Sequence, residues 1–287
     1  MSLCYFCSDL HGREDRYEKL LAAIRREHPA AVFLGGDLFS AGLMKALRAG
    51  AAHQDFTADF LVPKFGALRD ELGGVFPQIF VILGNDDPRS EEAEILEAAT
   101  AGLWVYAHFK RVPFGDYAVY GYSYVPPTPF TLKDWERYDV SRYVGPGGVS
   151  PEEGWRSVAE EPETTRYSTI QKDLDALAGD DDLSKAIFLF HTPPYKTRLD
   201  RAALDGMKFD EVPLDVHVGS IAVGRFIEGR QPLITLHGHV HESARLTGAW
   251  RDRLGRTSLY SAAHDGPELA LVRFHPEKPE RATRILL

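Results

Sequence analysis

Three apolar runs, LCYFC at residues 3–7, AVFLG at 31–35 and IFVIL at 79–83, each break into a polar turn that contains glycine, and helix-period segments lie between them. Short apolar runs bounded by turn residues read as buried strands. After the first run, Tyr17, Leu20, Leu21 and Ile24 recur at i, i+3, i+4 and i+7, one face of an amphipathic helix. Residues 55–72 predict a second helix, and SEEAEILEAA a third, capped at Ser90. Strand and helix in alternation imply a layered α/β sheet. Further along, YAVYGYSY, AIFLFH, PLITLHGH, TSLYSAA, ELALVRFH and ATRILL read as strands, so two sheets are expected inside one domain spanning residues 1–287. Residues 126–163 stand apart: PPTP, PGG and scattered acidic residues predict a long irregular insertion. It is a candidate lid or merely a loop; as a lid, its shortening is expected to change substrate handling more than stability.

Chemistry gathers where the strands end. Asp9 and His11 follow the first run, Asp37 the second and Asn85 the third; His191 closes AIFLF, and His237, His239 and His241 follow PLITL. In open α/β sheets the loops at the carboxyl ends of the strands converge on ligand sites. Carboxylates, imidazoles and an amide oxygen without a thiolate suit borderline-hard divalent ions such as Mn²⁺, Fe²⁺ or Zn²⁺. Taken singly, each residue has a plainer reading. A His at a strand end is ordinarily a hydrogen-bonded structural residue, and Asp37, Asn85, Asp87 or DLHG alone would be turn or cap formers. Their joint occurrence is what points to a metal site. His28, His53, His108 and His275 have no such frame and read as structural, Tyr122, Tyr124 and Trp135 as packing residues, and the acidic run 180–182 as a solvated turn.

Composition narrows the remaining classes. A net charge of -9 offers no basic face to a phosphate backbone, which disfavours nucleic acid and anionic membranes as partners. Cys4 and Cys7, the only cysteines, lie in a strand-like run and read as reduced core thiols. The absence of an apolar run near the roughly 20 residues of a spanning helix, and of a charged leader, makes a cytoplasmic protein the expectation.

In their order along the chain, Asp9-Leu10-His11, Gly36-Asp37-Leu38, Gly84-Asn85-Asp86-Asp87, His191 and Gly238-His239-Val240-His241 resemble the boxes of the calcineurin-like metallophosphoesterases. The resemblance implies a four-layer αββα sandwich of two mixed β-sheets flanked by helices. It implies two divalent metal ions, Mn²⁺ foremost, with Fe, Zn or Ni as other occupants. Asp9, His11, Asp37 and His241 would hold one ion, and Asn85, His191 and His239 the other, with Asp37 shared. The implied activity is hydrolysis of a small phosphoester substrate, diester or monoester, by a hydroxide bridging the ions. Asp86 stands where many family members carry a His that serves as an acid; beside two cations it should be ionised and a poor proton donor. Asp87 is expected behind the ligands, hydrogen bonding a neighbour. HTPPYKTRLD and DVHVGS resemble a subgroup of small prokaryotic phosphoesterases, which adds His217 to Asp86 and Asp87 as candidate catalytic residues. Ser220 reads as the N-cap of a helix whose start could receive a phosphate or carboxylate. His237 is an extra histidine beside the last box. The alternative from another class is a binding scaffold that keeps the fold without the chemistry.

Overall fold

The computed structural model describes residues 2–39 and 55–287; His53 lies outside them. Four parallel strands, β1 (Cys4–Cys7), β2 (Ala31–Gly35), β3 (Gln78–Ile82) and β4 (Val105–Tyr106), form the body of the first sheet. β13 (Ala270–Phe274) and β14 (Thr283–Leu286) extend it antiparallel, in the order β14-β13-β1-β2-β3-β4. The second sheet comprises β5 (Lys110–Phe114), β6 (Tyr117–Tyr122), β7 (Ala186–Phe190), β10 (Ile234–His237), β11 (Arg251–Leu254) and β12 (Thr257–Ser261). Its order is β11-β12-β10-β7-β6-β5, and its parallel centre is β12, β10, β7 and β6. A small hairpin pairs β8 (Lys208–Phe209) with β9 (Val212–Pro213).

Period-two alternation sorts the side chains into two cores. Cys4, Phe6, Phe33, Phe80 and Ile82 face Ile187, Leu189, Ile234 and Leu236 across the inter-sheet space. Tyr5, Cys7, Val32, Leu34 and Val81 face outward under helix α1 (Glu14–Glu27), whose Tyr17, Leu20, Leu21 and Ile24 are all buried as the spacing predicts. α2 (Val62–Leu72) joins α1 on that side. On the second sheet, α5 (Ile170–Ala178) and α6 (Ile221–Arg230) cover Tyr120, Tyr122, Phe188 and Phe190. The result is the expected four-layer sandwich. Both cysteines are free and buried, Cys4 between the sheets and Cys7 under the helices.

Local details differ from the sequence reading for identifiable reasons. The 55–72 helix opens as a five-residue π stretch, Thr57–Leu61, before continuing as α2. Pro63 explains the wider turn, since it has no N–H to give to the carbonyl four residues back and its ring crowds that carbonyl. Ser90 is not a helix cap. A 3₁₀ turn at Arg89–Glu91 leads into α3 (Glu92–Thr100), and the donors there go to the insertion: Arg89 N to Asp134 Oδ2 at 2.7 Å and Ser90 N to Ser157 Oγ at 3.0 Å. β5 and β11 were not expected as strands, because both are edges whose exposed Lys, Arg and Pro residues mask the alternation.

The insertion also differs. It forms no helix before α4 (Pro162–Tyr167), yet Lys133, Asp134, Trp135, Glu136 and Tyr138 are all buried. Lys133 Nζ meets Glu136 Oε2 at 2.5 Å and donates to Thr128 O at 2.9 Å, so its charge is compensated inside the protein. A segment that buries a tryptophan and an ion pair contributes core, which the expectation that shortening it would cost little stability did not count.

Candidate metal centre

The carboxyl ends of β1, β2, β3, β7 and β10 bring the box residues together. Four of them, Asp9, His11, Asp37 and His239, have left-handed backbones, with φ of 56°, 50°, 52° and 73°. Such residues cost about 1–3 kcal/mol each unless their surroundings hold them. Here the turns hold one another: Asp9 N donates to Gly36 O at 2.9 Å, His11 N to Asp37 O at 2.9 Å, and His239 N to Asp9 Oδ1 at 3.0 Å. Glycine is required where the turns touch. A Cβ on Gly84 would lie 2.3 Å from Asp37 Oδ1 and 2.5 Å from Asp37 N, and one on Gly36, at φ +91°, would lie 2.7 Å from His191 Nδ1.

Two groups of ligand-capable atoms result, Asp9, His11, Asp37 and His241 in one and Asp37, His191 and His239 in the other, the atoms of each within 4.8 Å of one another. Asp37 belongs to both. His191 Nδ1 lies 2.8 Å from Gly35 O, an acceptor, so Nδ1 carries a hydrogen, and once the ring is neutral its lone pair points outward from Nε2. That Nε2 faces Asn85 Oδ1 at 3.1 Å and Asp37 Oδ2 at 3.2 Å. Asn85 Nδ2 donates to Asp86 Oδ1 at 3.1 Å, which directs the amide oxygen inward. In the other group, His11 Nε2 and His241 Nε2 lie 3.1 Å apart, with Asp9 Oδ1 3.1 Å from the latter. Buried carboxylates, imidazoles and an amide oxygen converging this closely call for a cation or for protons on the rings, and the set fits divalent ions.

The titrations express the same demand through protons. Burial alone would push the Asp9 carboxyl up, but His241, with His191 and His11, takes it well below the usual carboxylate range. Asp37 is likewise held down to about 2 against its burial, chiefly by His191. Burial would lower His191 and His241, yet Asp37 lifts the first to about 10 and Asp9 the second to about 9. Burial takes His239 down to about 3.

Asp87 is buried behind this layer. Its Oδ1 accepts from Phe39 N at 2.9 Å and its Oδ2 from Gly84 N at 2.8 Å, tying the second turn to the third. Asp86 N donates to Asp37 Oδ1 at 2.8 Å, while its carboxylate lies 3.8 Å from His11 Nδ1. The Asp37 charge first, and burial second, push the Asp86 carboxyl up to about 7. The sequence expectation of an ionised Asp86 concerns the centre with its cations bound, where the charge on Asp37 is offset.

Other histidines and caps sort differently. His237 is fully buried, Nδ1 on Thr192 O at 2.9 Å and Nε2 on Thr235 Oγ1 at 2.8 Å, with its ring stacked on Phe190; it is a core residue. His217 holds Asp200 Oδ1 through Nδ1 at 2.8 Å and belongs to neither ligand group. Ser220 is an N-cap as predicted, accepting from Val223 N at 3.0 Å. The carboxylate at that helix start is internal: Asp139 accepts from Ser220 Oγ at 2.5 Å and from Ile221 N at 2.7 Å. Sequence reasoning missed Ser8, whose hydroxyl donates to Asp9 Oδ2, and Arg16, which donates to Asp9 O at 2.6 Å. Arg16 had a signal: it lies four residues ahead of Leu20, a charge beside the apolar stripe of α1.

The family model described as calcineurin-like phosphoesterase matches residues 4–243. The chain belongs to that family. This phosphoesterase is therefore a hydrolase of metal-dependent type, with clustered Asp and His residues able to hold the metal. No curated protein matches its sequence. Among solved structures, the phosphoesterase resembles TT1561 of Thermus thermophilus at 17% identity and TM-score 0.55, covering 99% of this chain and 98% of that one. It also resembles a phosphopantetheinyl hydrolase of Mycobacterium tuberculosis at 11% identity and TM-score 0.56, over 99% and 95% of the two chains. A dimetal phosphatase of Danio rerio matches at 13% identity and TM-score 0.51, over 96% and 93%. At such identities the likeness is one of fold. No helix of the described residues is long and apolar enough to cross a membrane.

Proposed function

We propose that the protein is a binuclear phosphoesterase acting on a small phosphodiester or phosphomonoester. Asp9, His11, Asp37 and His241 would hold one divalent cation, and Asn85, His191 and His239 the other, Asp37 serving both. Carboxylate, imidazole and amide donors favour Mn²⁺, with Fe, Zn or Ni as other occupants. The observation that carries this reading is the pair of ligand-capable groups sharing Asp37, His191 Nε2 facing Asn85 and Asp37 in one and His11 and His241 meeting beside Asp9 in the other. Two such cations supply Lewis acidity toward a phosphoryl oxygen and lower the pKa of water held between them.

The chain's own part is to hold these donors rigidly. Gly35 O fixes the His191 tautomer, Asp86 orients the Asn85 amide, and Asp87 locks the Gly84 turn to Phe39. Asp86, whose carboxylate stands beside His11, and His217, oriented by Asp200, are the two candidates for delivering a proton to the leaving oxygen.

Hydrolysis of bis-p-nitrophenyl phosphate and p-nitrophenyl phosphate with and without Mn²⁺ tests the function. Activity should vanish on chelation and return with Mn²⁺; chelator-resistant hydrolysis contradicts the proposal. A series of leaving groups on wild type, Asp86→Asn and His217→Ala assigns the acid. The variant lacking it should lose most rate on poor leaving groups, and equal slopes in all three would remove both residues from that role.

A further inference from the structure

Arg16 is a cation turned into the protein, only 5% exposed, in the first turn of α1. Its guanidinium donates to two backbone carbonyls, Asp9 O and Gly266 O, each at 2.6 Å. The Asp9 contact is the unusual one. Asp9 follows β1 in a left-handed conformation, and that conformation turns its carbonyl away from the strand ladder, where a buried acceptor needs another donor. Arg16 supplies it. The same guanidinium thereby joins the DLH turn, α1 and the segment between β12 and β13.

The Asp9 carboxylate depends on that backbone. Its Oδ1 receives His239 N at 3.0 Å and stands 3.1 Å from His241 Nε2, while Ser8 takes Oδ2. Both oxygens are thus aimed from a backbone whose φ of 56° is held from one side by Gly36 O and from the other by Arg16. Most of the second group is oriented elsewhere, His191 through Gly35 O and Asn85 through Asp86; only the His239 backbone, through its N–H to Asp9 Oδ1, shares the Asp9 turn. We propose that Arg16 is a positioning residue that sets the affinity of the cation site built on Asp9, His11, Asp37 and His241. This inference rests on the two-cation reading above.

Calorimetric titration with Mn²⁺ of the full-length protein stripped by chelation, beside urea denaturation of the same samples, tests it. Arg16→Met keeps the aliphatic stem and removes the donors; it should weaken one of the two equivalents by ~10- to 100-fold and the other by less than about threefold. Arg16→Lys retains a charge and one donor toward Asp9 O and should recover part of that loss. Weakening of both equivalents alike, in proportion to lost stability, would make Arg16 a structural staple and overturn the inference. So would unchanged affinities in a folded variant. If Arg16→Met does not fold, Arg16→Lys decides alone: intermediate weakening of one equivalent supports the role and unchanged binding overturns it. Fewer than two equivalents in wild type would overturn the two-cation reading itself, a failure visible without any variant.

Discussion

Gly84 shows how closely the candidate centre is built. It has no side chain because the backbone of Asp37 and the ring of His191 occupy the space a Cβ would fill. Neither neighbour is the flexible end of a long chain, so they cannot swing aside. Gly84→Ala should cost about 1–3 kcal/mol of stability, as overpacking does, and should weaken Mn²⁺ binding by moving Asp37. Denaturation and metal titration on the purified variant check this; wild-type affinity would show that the turn yields without disturbing Asp37. Residues of this kind were legible in the sequence. Three of the boxes open on a glycine, Gly36, Gly84 or Gly238, beside the acid, amide or histidine, and that glycine is needed for the close approach of turns that makes the cluster. Arg16 and Ser8 were less legible, because each acts on Asp9 through a hydrogen bond whose partner is set by the fold.

At the scale of elements, the central strands and α1 followed from periodicity, whereas the insertion did not. Its contacts run to distant backbone: Asp134 takes the donor of Arg89, and Asp139 caps α6. No local repeat records such pairings. The insertion also closes over His108, whose ring meets Trp135 at 5.0 Å and whose Nδ1 accepts from Ser123 N at 3.1 Å. Burial first, then Arg89 and Arg137, takes the His108 pKa down to about 3. The unfolded chain, with a pKa of about 6.5, binds a proton in the interval where the folded one does not. The stability this group contributes is therefore full above that unfolded value and is lost as pH falls toward the folded one. Between pH 7 and 4 the loss through His108 should be on the order of 3 kcal/mol. His108→Asn, which keeps an acceptor for Ser123 N, should flatten the dependence in urea denaturation at the two pH values. Equal slopes for both proteins would contradict the account.

For the whole molecule, a net charge of -9 coincides with a concentration of carboxylates, Asp9, Asp37, Asp86 and Asp87, at one edge of the sandwich. The Asp37 charge, ahead of burial, raises the pKa of Asp86, and burial, ahead of Asp37, raises that of Asp87; the repulsive part is one that cations on Asp37 would relieve. Metal binding and folding stability should therefore be linked. The shared position of Asp37 is the centre of the account, and Mn²⁺ titration of chelator-stripped wild type and Asp37→Asn, with bis-p-nitrophenyl phosphate hydrolysis followed on the same samples, tests it most directly. Wild type should bind two equivalents with activity appearing as they fill, and Asp37→Asn should bind both more weakly with hydrolysis abolished. Full Mn²⁺ occupancy with near-normal hydrolysis in Asp37→Asn would contradict it.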